Sequence, residues 1–201
     1  RSRGLGEATV AMLNSPGGIH VNPATIGRKN TIEFYSPVSF NNGREIFRKP
    51  WLPGFGASDL YLQNPGIIFG FDKFSLGYQY TYLNLGEQFI TGDSSPTPKD
   101  SFNSFEEVHT FSASYQITND LFVGAGLNFG KSKLSSGQSI NGQQIKSPTF
   151  TTVDVGIYAD HTYDYKEMLI TPSLGWSLTD FGKPIGYVRE QGKNPLPMMM
   201  R

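Results

Sequence analysis

From residue 74 onward, apolar and small polar side chains alternate with a period of two, segment after segment. In FSLGYQYTY (74–82), Phe74, Leu76, Tyr78, Tyr80 and Tyr82 fall on one side, and Ser75, Gly77, Gln79 and Thr81 on the other. FSASYQIT (111–118) repeats the scheme, with Phe111, Ala113, Tyr115 and Ile117 opposite Ser112, Ser114, Gln116 and Thr118. LFVGAGLNFG (121–130) sets Leu121, Val123, Ala125, Leu127 and Phe129 against Gly124, Gly126, Asn128 and Gly130. Residues 153–160 and 168–179 do the same, and 31–40 and 66–71 are weaker versions. A strand turns successive side chains to opposite faces, so this period predicts β-strands with one buried face. The abundance of Gly (23), Phe (15) and Tyr (10) agrees with an all-β chain.

A soluble sandwich and an antiparallel transmembrane β-barrel both alternate in this way. Three features favour the barrel. Several segments reach ten residues, which at ~3.3 Å per residue and a tilt near ~45° cover about 23 Å, close to the apolar band of an outer-membrane barrel. Connections alternate between tight (72–73, 118–120, 161–166) and long (84–104, 131–149, 180–197), a rhythm that places short turns at one end and polar loops at the other. The polar face is Ser, Thr, Gly, Gln and Asn, which suits a crowded or plugged lumen. Soluble strands more often present Lys and Glu. Tyrosines and Trp176 on the apolar face supply interfacial anchors.

Bulk properties narrow the partners. Seventeen basic residues balance seventeen acidic ones in a chain of 201, which argues against nucleic-acid binding. Cysteine is absent, so neither disulfides nor thiolate metal sites are available. No apolar run approaches the ~20 residues of a spanning helix. The ranges 31–40, 66–71, 73–83, 105–118, 120–131, 150–160 and 167–179 give about seven strands. Bacterial barrels have even strand numbers, and open edges in lipid leave backbone groups unpaired. The expectation is therefore the N-terminal part of a larger barrel, with a further strand starting at PLPMMMR, or edges covered by a partner chain.

RGLGEATVA (3–11), VNPATIG (21–27), LGWSLTDFGKPIGYV (174–188) and NPLPMMMR (194–201) together resemble the outer-membrane barrel superfamily of the fatty-acid transporter FadL and the type IX secretion protein PorV. Asn22, Pro23 and Ala24 match the Asn-Pro-Ala element that follows a glycine-rich opening. The 174–201 segment is similar to the PorV branch, with Asp180 where that branch often has asparagine. The resemblance covers both ends of the chain; the middle strands match only in style. It implies a barrel of about 14 strands, with residues 1–30 as a lumenal hatch and 31–201 as the N-terminal part of the wall. Gly4, Gly6, Asn22, Pro23 and Ala24 become hatch residues. The PorV-like branch implies a bacterial outer-membrane protein that binds a secretion translocon or a cargo signal domain at the cell surface. The FadL-like alternative implies transport of a hydrophobic small molecule. Both place outer-membrane lipid around the barrel.

Candidate sites follow from residue chemistry. In 41–66, Arg44, Phe47, Arg48, Trp51 and Phe55 make an aromatic and arginine-rich loop suited either to protein contact or to folding over the barrel mouth. Asp154 is a lumenal charge, for which Arg1 or Arg3 of the hatch is the expected partner. Asp160, His161 and Asp164 have a metal-like spacing but fall in a short turn, where such residues are ordinary polar choices. His20 is expected to hydrogen-bond within the hatch, and His109 to mark a membrane rim. GASD (56–59) lacks the flanking glycine of a nucleophile elbow. Catalysis, metal and cofactors are not expected.

Overall fold

A computed structural model describes residues 8–13, 17–27, 30–36, 39–41, 44–46, 49–50, 60–92, 95–135, 139–140, 143–166, 168–187 and 193–201. The chain opens with a 3-10 turn (Ala8–Ala11), a one-turn helix α1 (Gly18–Val21) and a second 3-10 turn (Pro23–Ile26). Strands then follow almost without interruption. The first are β1 (Ile32–Tyr35), β2 (Ser39–Asn41), β3 (Arg44–Ile46), β4 (Lys49–Pro50), β5 (Leu60–Gln63) and β6 (Gly66–Gly70). The long ones are β7 (Phe74–Gly92), β8 (Ser95–Thr118) and β9 (Leu121–Lys133). After the short β10 (Ser139–Ile140) and β11 (Gln143–Gln144) comes β12 (Thr149–Asp160). The last are β13 (Tyr163–Tyr165), β14 (Met168–Ile170), β15 (Ser173–Gly182) and β16 (Met199–Met200).

The main sheet runs β1-β6-β7-β8-β9-β12-β15-β16, antiparallel at every step. It is a meander: β2–β3, β10–β11 and β13–β14 are small hairpins set into its connections, while β4 and β5 pair with each other and extend it alongside β7. The all-β expectation holds. Among the described residues, β1 has a neighbour only through β6, and β16 only through β15. The further strand expected at PLPMMMR begins as β16, with Arg201 and Ser177 exchanging both backbone hydrogen bonds at 3.0 Å.

Several boundaries differ from expectation. Among the described residues, 84–104 are mostly exposed but are not an irregular loop: β7 continues to Gly92 and β8 starts at Ser95, the two paired as one long hairpin with a bulge at Asn84/Glu87 where Gly86 adopts φ 82°. Once two antiparallel strands are in register, each further rung closes no new loop, so even a Ser- and Pro-bearing segment can continue the ladder. Among the described residues, 31–40 hold β1 and the first two residues of β2, part of a separate hairpin. The strand expected over 167–179 is broken at Thr171–Pro172, and β15 instead runs from Ser173 to Gly182. Pro172 has no N–H to give to a ladder.

The core is where the N-terminal segment meets the sheet. Ile19, Ile26 and Ile68 form one buried cluster, with Tyr35 against it. Ala24, Phe122 and Tyr158 form a second, with Leu13 at its side. Residues 8–13 and 17–27 thus lie against β6, β7, β8, β9, β12 and β15 on one face of the sheet.

Candidate functional site: the inner face and the segment it holds

Burial on the strands is reversed from that of a soluble sheet. The face that packs on the N-terminal segment is polar: Ser75, Gln79, Thr110, Ser112, Ser114, Gln116, Asn128, Thr152, Asp154, Ser177 and Thr179 are all buried. The opposite face is apolar and open. Phe111 is 49% exposed where its neighbour Ser112 is 4% exposed, and Ile157 is 45% exposed where Asp154 is wholly covered. Phe74, Leu76, Tyr115, Leu127, Phe129, Val153, Val155, Leu174 and Trp176 continue that open apolar face.

Buried polar strands need partners, and the N-terminal segment supplies them. Its turns are too short to satisfy their own carbonyls. Four strand serines donate to these instead: Ser112 Oγ to Ile19 O (3.0 Å), Ser114 Oγ to Ala24 O (3.0 Å), Ser177 Oγ to Val21 O (2.7 Å) and Ser173 Oγ to Ala11 O (2.9 Å).

Asn22 is the junction of this arrangement. It is fully buried, in extended backbone between α1 and the second 3-10 turn. Its Nδ2 donates to Val10 O (2.8 Å) and to Ile157 O of β12 (3.1 Å), while its Oδ1 caps Ala24 N–H (3.1 Å). Thr25 Oγ1 closes the turn by donating to Asn22 O (2.8 Å). Pro23 stands at the first position of the turn, where its missing N–H removes no bond. Two glycines make the approach possible. A Cβ at Gly156 would collide with Asn22 Oδ1, and one at Gly124 with the Pro23–Ala24 backbone. The Asn22-Pro23-Ala24 element expected in a hatch is therefore seated against β9 and β12. Gly4 and Gly6 lie outside the described residues.

Asp154 is buried on the inner face, as expected, but its described partners are not arginines. Its Oδ2 accepts from Asn128 Nδ2 (2.8 Å), which also donates to Thr152 Oγ1 (2.9 Å). Its Oδ1 accepts from the backbone N–H of Asp180 (2.7 Å). That N–H is available because β15 bulges: the register steps from Val153↔Phe181 to Val155↔Leu178, and Asp180 takes φ 59°. A bulge leaves a residue outside the ladder, and Asp154 captures it. His20 is exposed in α1, within electrostatic reach of Asp180. Arg1 and Arg3 lie outside the described residues.

The other candidates separate. His161 Nδ1 meets Asp120 Oδ2 at 2.5 Å, and Asp160 accepts from Tyr158 OH (2.9 Å). Among the described residues, no three His, Cys, Asp or Glu side chains come together as metal ligands. His109 sits within β8, its Nδ1 2.9 Å from Tyr78 OH and its ring 5.0 Å from Tyr80. Arg44 falls in β3, while Phe47, Arg48, Trp51, Phe55 and the 56–59 stretch lie outside the described residues. The four serines, Gly124, Gly156 and Asn128 were not singled out as site residues in the sequence; their place on the non-aromatic face of alternating strands was the available signal. A cavity of about 520 Å³ opens at the tight-turn end, lined in part by Leu13, Glu33, Lys73, Gln116, Asn119 and Phe122. No protein-family model and no curated protein sequence matches the chain.

Proposed function

We propose that the chain forms part of an outer-membrane β-barrel plugged by its N-terminal segment, and that it binds a secretion partner or cargo signal at the cell surface. The observation that carries this reading is the reversed burial. A continuous apolar face containing Phe111, Leu127, Val155, Ile157 and Trp176 is unfavourable in water and favourable in lipid. The small polar face suits a lumen filled by protein. Further strands on the open edges of β1 and β16 complete the wall in this reading, since unpaired edges in lipid cost several kcal/mol per group. The β7–β8 hairpin carries the wall's strands well past an apolar band of ~25 Å, as a projecting surface for a partner. The PorV-like resemblance of residues 174–201 supplies the class of that partner.

The FadL-like reading, passage of a hydrophobic small molecule, draws support from the cavity beside the hatch, which has the size of a small-molecule site. Its charged lining fits an amphiphile better than a pure hydrocarbon. One purification tests all of this. The membrane reading expects the chain in the outer-membrane fraction and detergent for its solubility; a chain soluble without detergent sinks it. Co-purification of a large translocon barrel or secreted cargo supports the secretion role. Bound lipid in the lumen with no protein partner favours transport.

A further inference from the structure

Above the open apolar face, at the end away from the tight turns, the outer side chains change character. On β8 the outward series runs Ile117, Tyr115, Ala113, Phe111, His109, Glu107 and Phe105; on β9 it runs Val123, Ala125, Leu127, Phe129, Lys131 and Lys133. The register places Lys133 opposite Phe105 and Lys131 opposite Glu107. Both ammonium groups sit over the same ring, 5.9 Å (Lys131) and 5.8 Å (Lys133) from the Phe105 centroid. Phe105 stacks on Tyr82 (5.6 Å), and Tyr82 on Tyr80 (6.2 Å), so the two cations cap an aromatic platform continuous with the apolar face below. Among the described residues, neither lysine is in an ion pair. The only carboxylate in this outward set, Glu107, accepts from Tyr80 OH at 3.4 Å.

We infer that Lys131 and Lys133, over the Phe105–Tyr82 platform, form a docking site for the phosphate headgroup of a membrane lipid. The inference rests on the membrane reading above. The chemistry is that of an amphiphile: chains lie along Phe111, Leu127 and Phe129, the aromatic rings stand at the interfacial level, and the two ammonium groups meet an anion where the apolar surface ends. Two cations two residues apart on one face, against a single acid, leave a net positive charge that complements a phosphate and not a zwitterion.

Native mass spectrometry of the full chain released from detergent tests the site, using a lipid-A-type phosphorylated glycolipid and its dephosphorylated counterpart as probes. The phosphorylated lipid should be retained preferentially. Each of K131Q and K133Q should lower that preference about fivefold, with K131R/K133R keeping it and E107Q raising it. E107Q also keeps the test readable if the lysine variants fold poorly. Displacement of the lipid by millimolar inorganic phosphate alone would identify a free-phosphate site and overturn the lipid assignment. Equal retention of both lipids, or an unchanged preference in K131Q/K133Q, overturns the site while leaving the membrane reading intact. Retention of neither lipid by a chain that needs no detergent overturns both.

Discussion

At the scale of single residues, Asn22 is held between Val10, Ala24 and Gly156. Asn22→Ala removes two donated bonds to half-buried backbone oxygens and a turn cap, and should destabilise the folded protein by about 2–3 kcal/mol in detergent–urea titration. Gly156→Ala attacks the same contact from the wall and should cost about 2 kcal/mol. It should also raise the protease sensitivity of residues 17–27. Unchanged sensitivity would show that the hatch is not seated on β12. Asp154→Ala leaves the Asp180 N–H and the Asn128 amide short of an acceptor, with an expected loss of about 1–3 kcal/mol in the same titration. Asp154→Asn keeps an acceptor for the bulge and should lose less.

At the scale of elements, the N-terminal segment and the sheet are joined by hydroxyls, which makes the joint separable from the sheet itself. Ser112→Ala, Ser114→Ala and Ser177→Ala combined should accelerate amide exchange in 18–27 by tenfold or more, with little change in β8, β9 and β12. Equal acceleration everywhere would mean that the serines hold up the whole sheet. The projecting hairpin is separable too. Replacing residues 86–103 by a two-residue Asn-Gly turn keeps the Asn84↔Phe105 register and should leave the fold intact while abolishing partner retention in pull-downs. That hairpin was not legible in the sequence, because Ser, Pro and Asp suggest a loop and only the register of the strands below carries the ladder upward. The strands expected over 120–131 and 150–160 were legible to within two residues, since their alternation is local, whereas the one over 167–179 was split at Pro172. The bulge at Asp180 had no sequence signal, and Asn22 could not announce partners 12 and 135 residues away. The glycines of the polar face were visible as small residues; what they make room for was not.

At the scale of the whole molecule, the apolar face sets the conditions under which the chain is stable. Leu127 lies midway along that face, and Leu127→Arg should cost about 2–4 kcal/mol of folding free energy in bilayers if that level is the lipid midplane. The same arginine in place of Lys131 should be nearly neutral. A similar cost at both levels would place the apolar face outside the membrane.

The four serine bonds to the N-terminal segment have a kinetic consequence. They connect residues 90, 93, 156 and 162 positions apart. Such long separations slow folding, because each contact waits on the closure of a large loop. The strands are held to one another by their own ladders, so the segment can seat only after β8 and β15 have presented their serines. Until neighbouring strands pair, each hairpin exposes an apolar face and an unpaired edge at once, the state most prone to aggregate.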